Sequence, residues 1–224
     1  MTSILVVAAH PDDEVLGCGG YIAARVKSGD EVVVTFLSDG VTSRDKNLGI
    51  SEIEARRIAA RSASNVLGVK DVSFGDFPDN KLDSVPILEV IKTIEAVVKR
   101  VRPSIVVTHF GGDLNIDHRI VNQAVLTACR PTANQVVKQV MFFEVPSSTE
   151  WQVPTEGQAF VPNWFEDISQ TLELKVKALM MYEHELREWP HPRSVKAVEH
   201  LAHWRGASGG VDAAEAFVLG RRIP

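Results

Sequence analysis

The chain has 224 residues, 45% of them hydrophobic and 24% charged, a balance that suits an ordinary soluble globular protein of one large domain or two small ones. Its formal charge of −5 is spread over interspersed acidic and basic residues, which argues against nonspecific binding to nucleic acid or to an anionic membrane. Two cysteines, Cys18 and Cys129, give no disulfide framework, and neither a bilayer-length apolar stretch nor a secretory leader pattern stands out, so a reducing, cytoplasmic location is expected.

Ile4–Ala8 reads as a buried strand, and His10-Pro11-Asp12-Asp13-Glu14 follows it at once. Such a polar burst marks the open edge where α/β sheets bind ligands. One imidazole and three carboxylates crowded there repel one another unless a cation or substrate compensates them, and both group types are good zinc ligands. His10 and Asp13 can turn inward together on a tight turn, leaving Asp12 beside a metal as a base. The plainer alternative is an Asx-rich helix cap with a solvated histidine. Glu14–Ser28 is helical and ends near Gly29. Its Gly17-Cys18-Gly19-Gly20 fails the dinucleotide spacing and reads as close packing against the metal turn. A strand over Glu31–Leu37 follows. Ser51-Glu52-Ile53-Glu54 is a capping box that opens a helix stopping near Leu67-Gly68. Val72–Phe74 is a short strand, Ser84–Val101 a helix and Ile105–Thr108 a strand.

A second polar cluster, from His109 to Arg119, follows that strand. The two turns together can supply a His, Asp, His triad with one position left for water, which is the catalytic rather than the structural zinc arrangement. Asp117–Cys129 is helical and Gln139–Glu144 extended. This alternation predicts a Rossmann-like α/β fold, with a mainly parallel sheet covered by helices on both faces. Right-handed crossovers then bring His10, Asp13, Arg44 and His118 to one edge. From Pro146 the texture changes. The aromatic residues Trp151, Phe160 and Trp164, with Ser147-Ser148-Thr149 and Asn163, read as a wall of the substrate cleft, the alternative being a folded-back loop that only fills core. Helices are expected over Asp167–Glu185, Arg193–Trp204 (closed by Gly206) and Asp212–Leu219. No repeat or linker divides the chain, so one domain covers residues 1–224, with an α/β core over 1–145 and the cleft loop and C-terminal helices over 146–224. Gly206-Ala207-Ser208-Gly209-Gly210 matches G-x-S-x-G in letters but follows a helix rather than a strand. His200 and His203 lack a third ligand nearby and read as a surface helix.

With Ala9-His10-Pro11-Asp12-Asp13-Glu14 and Asp117-His118-Arg119 in place, the chain resembles the LmbE-like (PIG-L superfamily) zinc-dependent N-deacetylases. The resemblance runs on through Leu16–Gly20, Asp39-Gly40, Arg56/Arg57/Arg61 and Pro78-Asp79. It implies that His10, Asp13 and His118 bind one Zn2+ and that Asp12 is the general base. It also implies that Arg44 and Asp79 touch the substrate, a small N-acetylated amino sugar; Trp151 and Arg193 are further candidate contacts. Residues 147–151 and 160–163 resemble the subgroup tied to bacterial surface-sugar pathways, and related enzymes are often homo-oligomers. Two histidines and one aspartate also accept Fe, Co or Mn.

The chain departs from the family in one place. Many members carry a histidine three residues before the zinc histidine, and here that position is Asn115. An amide can donate to an oxyanion but cannot deliver a proton at neutral pH. Either Asp12 serves as both base and acid, or His191, held between Pro190 and Pro192, replaces the missing imidazole. Asp117 is a candidate to orient a nearby ring. The expected chemistry is hydrolysis of an N-acetyl group. Its alternatives are an amidase of a cysteinyl-sugar thiol conjugate and a metal-dependent sugar-binding protein without turnover.

Overall fold

Alternate residues of the first apolar run serve two different cores. In β1 (Ser3–Ala8), Ile4, Val6 and Ala8 pack on one side of the sheet and Leu5 and Val7 on the other, which is why the run is apolar throughout. The structure, a computed structural model, describes residues 1–40 and 50–224. Arg44 and the Ser51 side chain of the expected capping box lie outside the described residues.

Each of the next strands is reached through a helix. The chain runs through α1 (Asp13–Lys27), β2 (Glu31–Ser38), α2 (Ile50–Leu67), β3 (Asp71–Phe77), α3 (Ile87–Val101), β4 (Ile105–His109), α4 (Ile116–Ala128) and β5 (Gln139–Phe143). These five strands pair in parallel, and with β6 (Trp164–Asp167) and β7 (Ala214–Arg222) the seven-stranded order is β3-β2-β1-β4-β5-β7-β6. Helices α1 and α2 cover one face, while α3 and α4 cover the other. The strand order reverses between β1 and β4, which are paired with Val7 opposite Thr108. Their C-terminal ends therefore open the crevice in which such sheets bind ligands. The α/β, mainly parallel, single-domain architecture is as expected.

The C-terminal part departs from expectation. It holds two strands, β6 (Trp164–Asp167) and β7 (Ala214–Arg222), both antiparallel in pairing, around α5 (Leu172–Leu179), a 3-10 segment (Met180–Glu185) and α6 (Val195–Gly209). The segment Asp212–Leu219 is thus not a helix. Its Asp-Ala-Ala-Glu-Ala start favours a helix locally, but β5 and β6 offer backbone partners on both sides of it. Glu215 supports that placement: its carboxylate accepts the backbone N–H groups of Gly20 (3.0 Å) and Tyr21 (2.7 Å) and meets buried Lys175 at 2.5 Å.

That contact lies where α1 breaks. Cys18 has non-helical angles (φ −149°, ψ 26°), and Lys175 also donates to the Leu16 carbonyl at 2.9 Å, so the pair joins the two halves of the kinked helix. The glycines here pack away from the metal turn, contrary to expectation: a Cβ on Gly17 would meet the Phe143 ring at 2.3 Å and one on Gly20 would meet Ile168 at 2.8 Å. Helix α6 runs past Gly206 to Gly209 and stops at Gly210 in the left-handed region (φ 79°). Among the described residues, no helix is long and apolar enough to cross a membrane.

Candidate active site and metal centre

The turn after β1 is built to present side chains inward. Asp12 occupies the N-cap position of α1 but makes no capping hydrogen bond, and its backbone is held at φ 118°. For a residue other than glycine this is a strained conformation, costing about 1–3 kcal/mol. Glu14 secures it by accepting the Asp12 N–H at 3.0 Å, while its other oxygen accepts the Tyr182 hydroxyl at 2.6 Å. His10 is only 7% exposed, so the turn is neither a simple helix cap nor a solvated histidine.

His10, Asp13 and His118 come together at the bottom of this turn. Asp13 Oδ2 lies 3.2 Å from His10 Nδ1 and 3.3 Å from His118 Nε2. Ligand atoms of the three lie within 4.8 Å of one another, near the spacing of groups that share one ion at about 2.0–2.2 Å each. The other ring nitrogens face carboxylates. His10 Nε2 lies 3.0 Å from Asp117 and 3.1 Å from Asp79, and His118 Nδ1 lies 3.2 Å from Asp113. Carboxylates behind both rings fix their orientation and raise their basicity toward a cation. Asp13 Oδ1 and both ring nitrogens of His118 are buried without a hydrogen-bond partner; Nδ1 faces Asp113, and Nε2 with Asp13 Oδ1 is left to serve as a metal donor.

His10, Asp79 and Asp117 form a second acidic group with metal-ligand spacing. Asp117 is less suited to hold an ion. Its Oδ1 accepts Leu82 N–H at 3.0 Å and its Oδ2 accepts Asn80 N–H at 2.8 Å. The donor set of His10, Asp13 and His118 therefore fits the metal, with Asp117 and Asp79 behind it.

Two guanidinium groups flank Asp12. Its Oδ2 lies 2.9 Å from Arg193 Nη1 and 3.3 Å from Arg56 Nη2, whereas Oδ1 is buried with no partner. Glu185 bonds Arg56 on the far side. Burial holds the Asp12 carboxyl above its usual range, and Arg193 and Arg56 offset only part of that rise. Burial also pushes Glu14 up to about 8. At His118 burial favours the neutral ring, yet Asp13 and Asp113 raise it to about 9, and Asp113 in turn falls to about 2 against its own burial. His109 is buried, stacks on His118 with centroids 3.9 Å apart, and accepts the Ala9 N–H at 2.8 Å, which fixes the ends of β1 and β4 together.

The cleft over Asp12 is lined by His10, Gly40, Arg56, Asp79, Asn80, Asn115 and Arg193. Of the sequence candidates, His10, Asp12, Asp79, Asn115 and Arg193 meet there, and Asp13, Asp117 and His118 lie beneath. Asn115 is bonded on both sides of its amide: Oδ1 caps α4 through Asp117 N–H (2.8 Å) and Nδ2 donates to Asn80 (3.0 Å). Trp151 and His191 pair edge to face at 5.6 Å outside that lining. His191 Nδ1 accepts the Arg193 N–H at 3.1 Å. Arg56, Asp113 and Glu185 had no assigned role in the sequence reading. Only Asp113 carried a local signal, since it lies in the polar turn after β4.

Comparison with known proteins agrees with this architecture. The family model described as PIG-L, GlcNAc-PI de-N-acetylase, matches residues 5–129. A diacetylchitobiose deacetylase from Thermococcus kodakarensis is 31% identical over 194 residues, covering 83% of this chain and 70% of that protein. Among solved structures, the conserved protein TT1542 from Thermus thermophilus superposes with a TM-score of 0.78 at 25% identity, covering 100% of this chain and 97% of that one. GalB, the 4-carboxy-2-hydroxymuconate hydratase from Pseudomonas putida KT2440, shares the fold with a TM-score of 0.77 at 23% identity, covering 100% and 98%. The family model spans more than half of the chain and takes in both the turn after β1 and the His118 helix, so the chain belongs to the PIG-L family.

Proposed function

We propose that this protein is a zinc-dependent hydrolase that removes the N-acetyl group from an amino sugar. The observation that carries the reading is the buried trio His10, Asp13 and His118, with its unpartnered donor atoms, directly beneath an unpartnered oxygen of Asp12. The family description and the name of the Thermococcus relative both point to an N-acetylated glucosamine unit as the substrate class. The fold alone does not choose the chemistry, since the hydratase shares it.

When bound, a divalent cation polarises the amide carbonyl and lowers the pKa of water toward about 7. Asp12 takes the proton from the attacking water through Oδ1, because Oδ2 is already held by Arg193 and Arg56. Those two guanidinium groups favour the ionised carboxylate against its burial and aim it. The new C–O bond forms as the carbonyl opens, and the C–N bond then breaks. The leaving amine needs a proton at that point. Asn115 has none to give, so Asp12 returns the one it took, and acetate and the free amine depart. Asp79 and Asn115 face the sugar hydroxyls. In this reading the partner is a small N-acetylated sugar and the protein works in the cytoplasm.

Acetate release from N,N'-diacetylchitobiose and from N-acetylated nucleotide sugars tests the proposal. Zinc-loaded wild type releases acetate, and Asp12→Asn is slower by about 10²–10⁴-fold with its metal retained. Metal-loaded wild type that releases no acetate from any of these substrates overturns it.

A further inference from the structure

Three consecutive hydroxyl side chains follow β5, and they reach both halves of the site. The turn is closed on itself: Ser148 and Thr149 N–H donate to the Val145 carbonyl at 3.2 and 2.9 Å, and Thr149 Oγ1 accepts the Val145 N–H at 2.8 Å. Ser148 and Thr149 are both buried, 5% and 7% exposed, against Asp113. Ser148 Oγ donates to Asp113 Oδ1, and Thr149 Oγ1 donates to Oδ2 at 2.6 Å. Asn115 N–H adds a third bond to Oδ1 at 2.8 Å. With both oxygens fixed, Asp113 sits 3.2 Å from His118 Nδ1 and holds the ring with Nε2 toward Asp13.

Ser147 faces the other way. Its backbone is in the left-handed region (φ 69°), secured by Glu150, which accepts the Ser147 N–H at 2.7 Å. In that conformation its Oγ accepts from Arg193 Nε at 2.7 Å, and Arg193 Nη1 reaches Asp12 at 2.9 Å. The turn after β5 thus reaches Asp12 through Arg193, from the loop before α6, and His118 through Asp113, from the loop after β4.

We propose that Ser147, Ser148 and Thr149 are positioning residues that set two groups of the site from one turn. Ser148 and Thr149 orient His118 for the metal through Asp113, and Ser147 aims Asp12 through Arg193. The second arm rests on the deacetylase reading, whereas the first stands on metal binding alone.

The two arms separate in one set of variants. Zinc affinity is measured by competition with a chromophoric chelator, and kcat and KM by acetate release, on variants whose Tm has been recorded. Ser148→Ala/Thr149→Val weakens zinc binding by about 10- to 100-fold, whereas the conservative Thr149→Ser, which keeps both hydroxyls, stays within about threefold of the wild type. Ser147→Ala keeps wild-type zinc affinity while kcat falls about 10- to 100-fold with KM nearly unchanged. If the double variant does not fold, Asp113→Asn cuts the same link from the other side and is read in its place. Wild-type zinc affinity in the double variant overturns the metal arm, as does an equal loss in Thr149→Ser, which keeps the hydroxyl. Unchanged kcat in Ser147→Ala overturns the base arm, and so does a fall in kcat and zinc affinity together. A wild type that releases no acetate defeats the deacetylase reading and the base arm with it, leaving the metal arm to be decided by zinc affinity.

Discussion

Asp117 serves the site without touching the ion in the proposed arrangement. One oxygen accepts Leu82 N–H, and the other accepts Asn80 N–H and faces His10 Nε2 at 3.0 Å, so its negative charge is held against the ring from behind. Asp117→Asn keeps the shape but removes the charge and turns one acceptor into a donor. The expected result is metal binding weaker by about 10- to 100-fold, checked by metal content after dialysis against graded chelator. Undiminished metal content would mean that Asp79, 3.1 Å from the same nitrogen, orients His10 by itself. That His10, Asp12, Asp13 and His118 meet at one edge was legible in the sequence, because both polar bursts follow apolar runs; it was the family resemblance that picked His118 out of the second burst. The places of Arg56 and Glu185 were not legible. Arg56 reaches Asp12 from α2, which the family resemblance took in without giving it a role, and Glu185 backs Arg56 from the 3-10 segment before Leu186, which carries no local mark of the site. Asn115 was legible as a departure from the family, but its engagement by Asp117 and Asn80 depends on where the turn after β3 comes to rest.

At the level of elements, the site depends on how α1 lies against the sheet. Gly17 lets the helix approach β5 so closely that a Cβ there would fall 2.3 Å from Phe143 Cδ2. Phe143 has nowhere to go, being fully buried with its ring edge-on to His109 at 4.7 Å. Gly17→Ala therefore destabilises by overpacking, by about 1–3 kcal/mol, seen as a fall in Tm of roughly 2–12 °C. His109 stacks on His118, so the same change is transmitted to that proposed ligand, and zinc affinity is expected to fall alongside Tm. A variant with wild-type Tm would show that α1 can shift by a few tenths of an ångström without cost. The four βα units were readable from hydrophobic period and turn chemistry, because their strands are buried on both faces and each needs a crossover helix. The last strand was not. Ala214, Glu215 and Ala216 carry no period-2 signature, and the buried Glu215 is explained only by Lys175 and the broken α1 it joins. Local propensity lost to tertiary pairing there, as it does when a segment fills a gap between strands already set.

Over the whole molecule, an unusual amount of acid is gathered at one edge of the sheet. Asp12, Asp13, Glu14, Asp79, Asp113, Asp117 and Glu185 are each at most 5% exposed, and the described cations among them are Arg56 and Arg193. Buried carboxylates are costly unless paired or neutralised. His10 and His118 relieve part of that cost when protonated, since nearby carboxylates raise both rings despite burial. A divalent cation held by His10, Asp13 and His118 would relieve it further and would tie together the turns after β1 and β4, whose strands are neighbours at the point where the sheet reverses its order. Binding of this kind stabilises only the folded chain, because the unfolded chain holds the three ligands far apart in sequence. At a free metal concentration of 100 Kd the gain is about 2.7 kcal/mol, or roughly 5–11 °C in Tm for a chain of this size. Thermal unfolding with zinc and with excess chelator should differ by about that much in the wild type, and His118→Ala, which removes one ligand, should collapse the difference. Equal Tm values for loaded and stripped wild type would mean that protons and the two arginines already balance the cluster. The trio would then not be where a stabilising ion binds, and the case for metal-assisted hydrolysis would lose its main support.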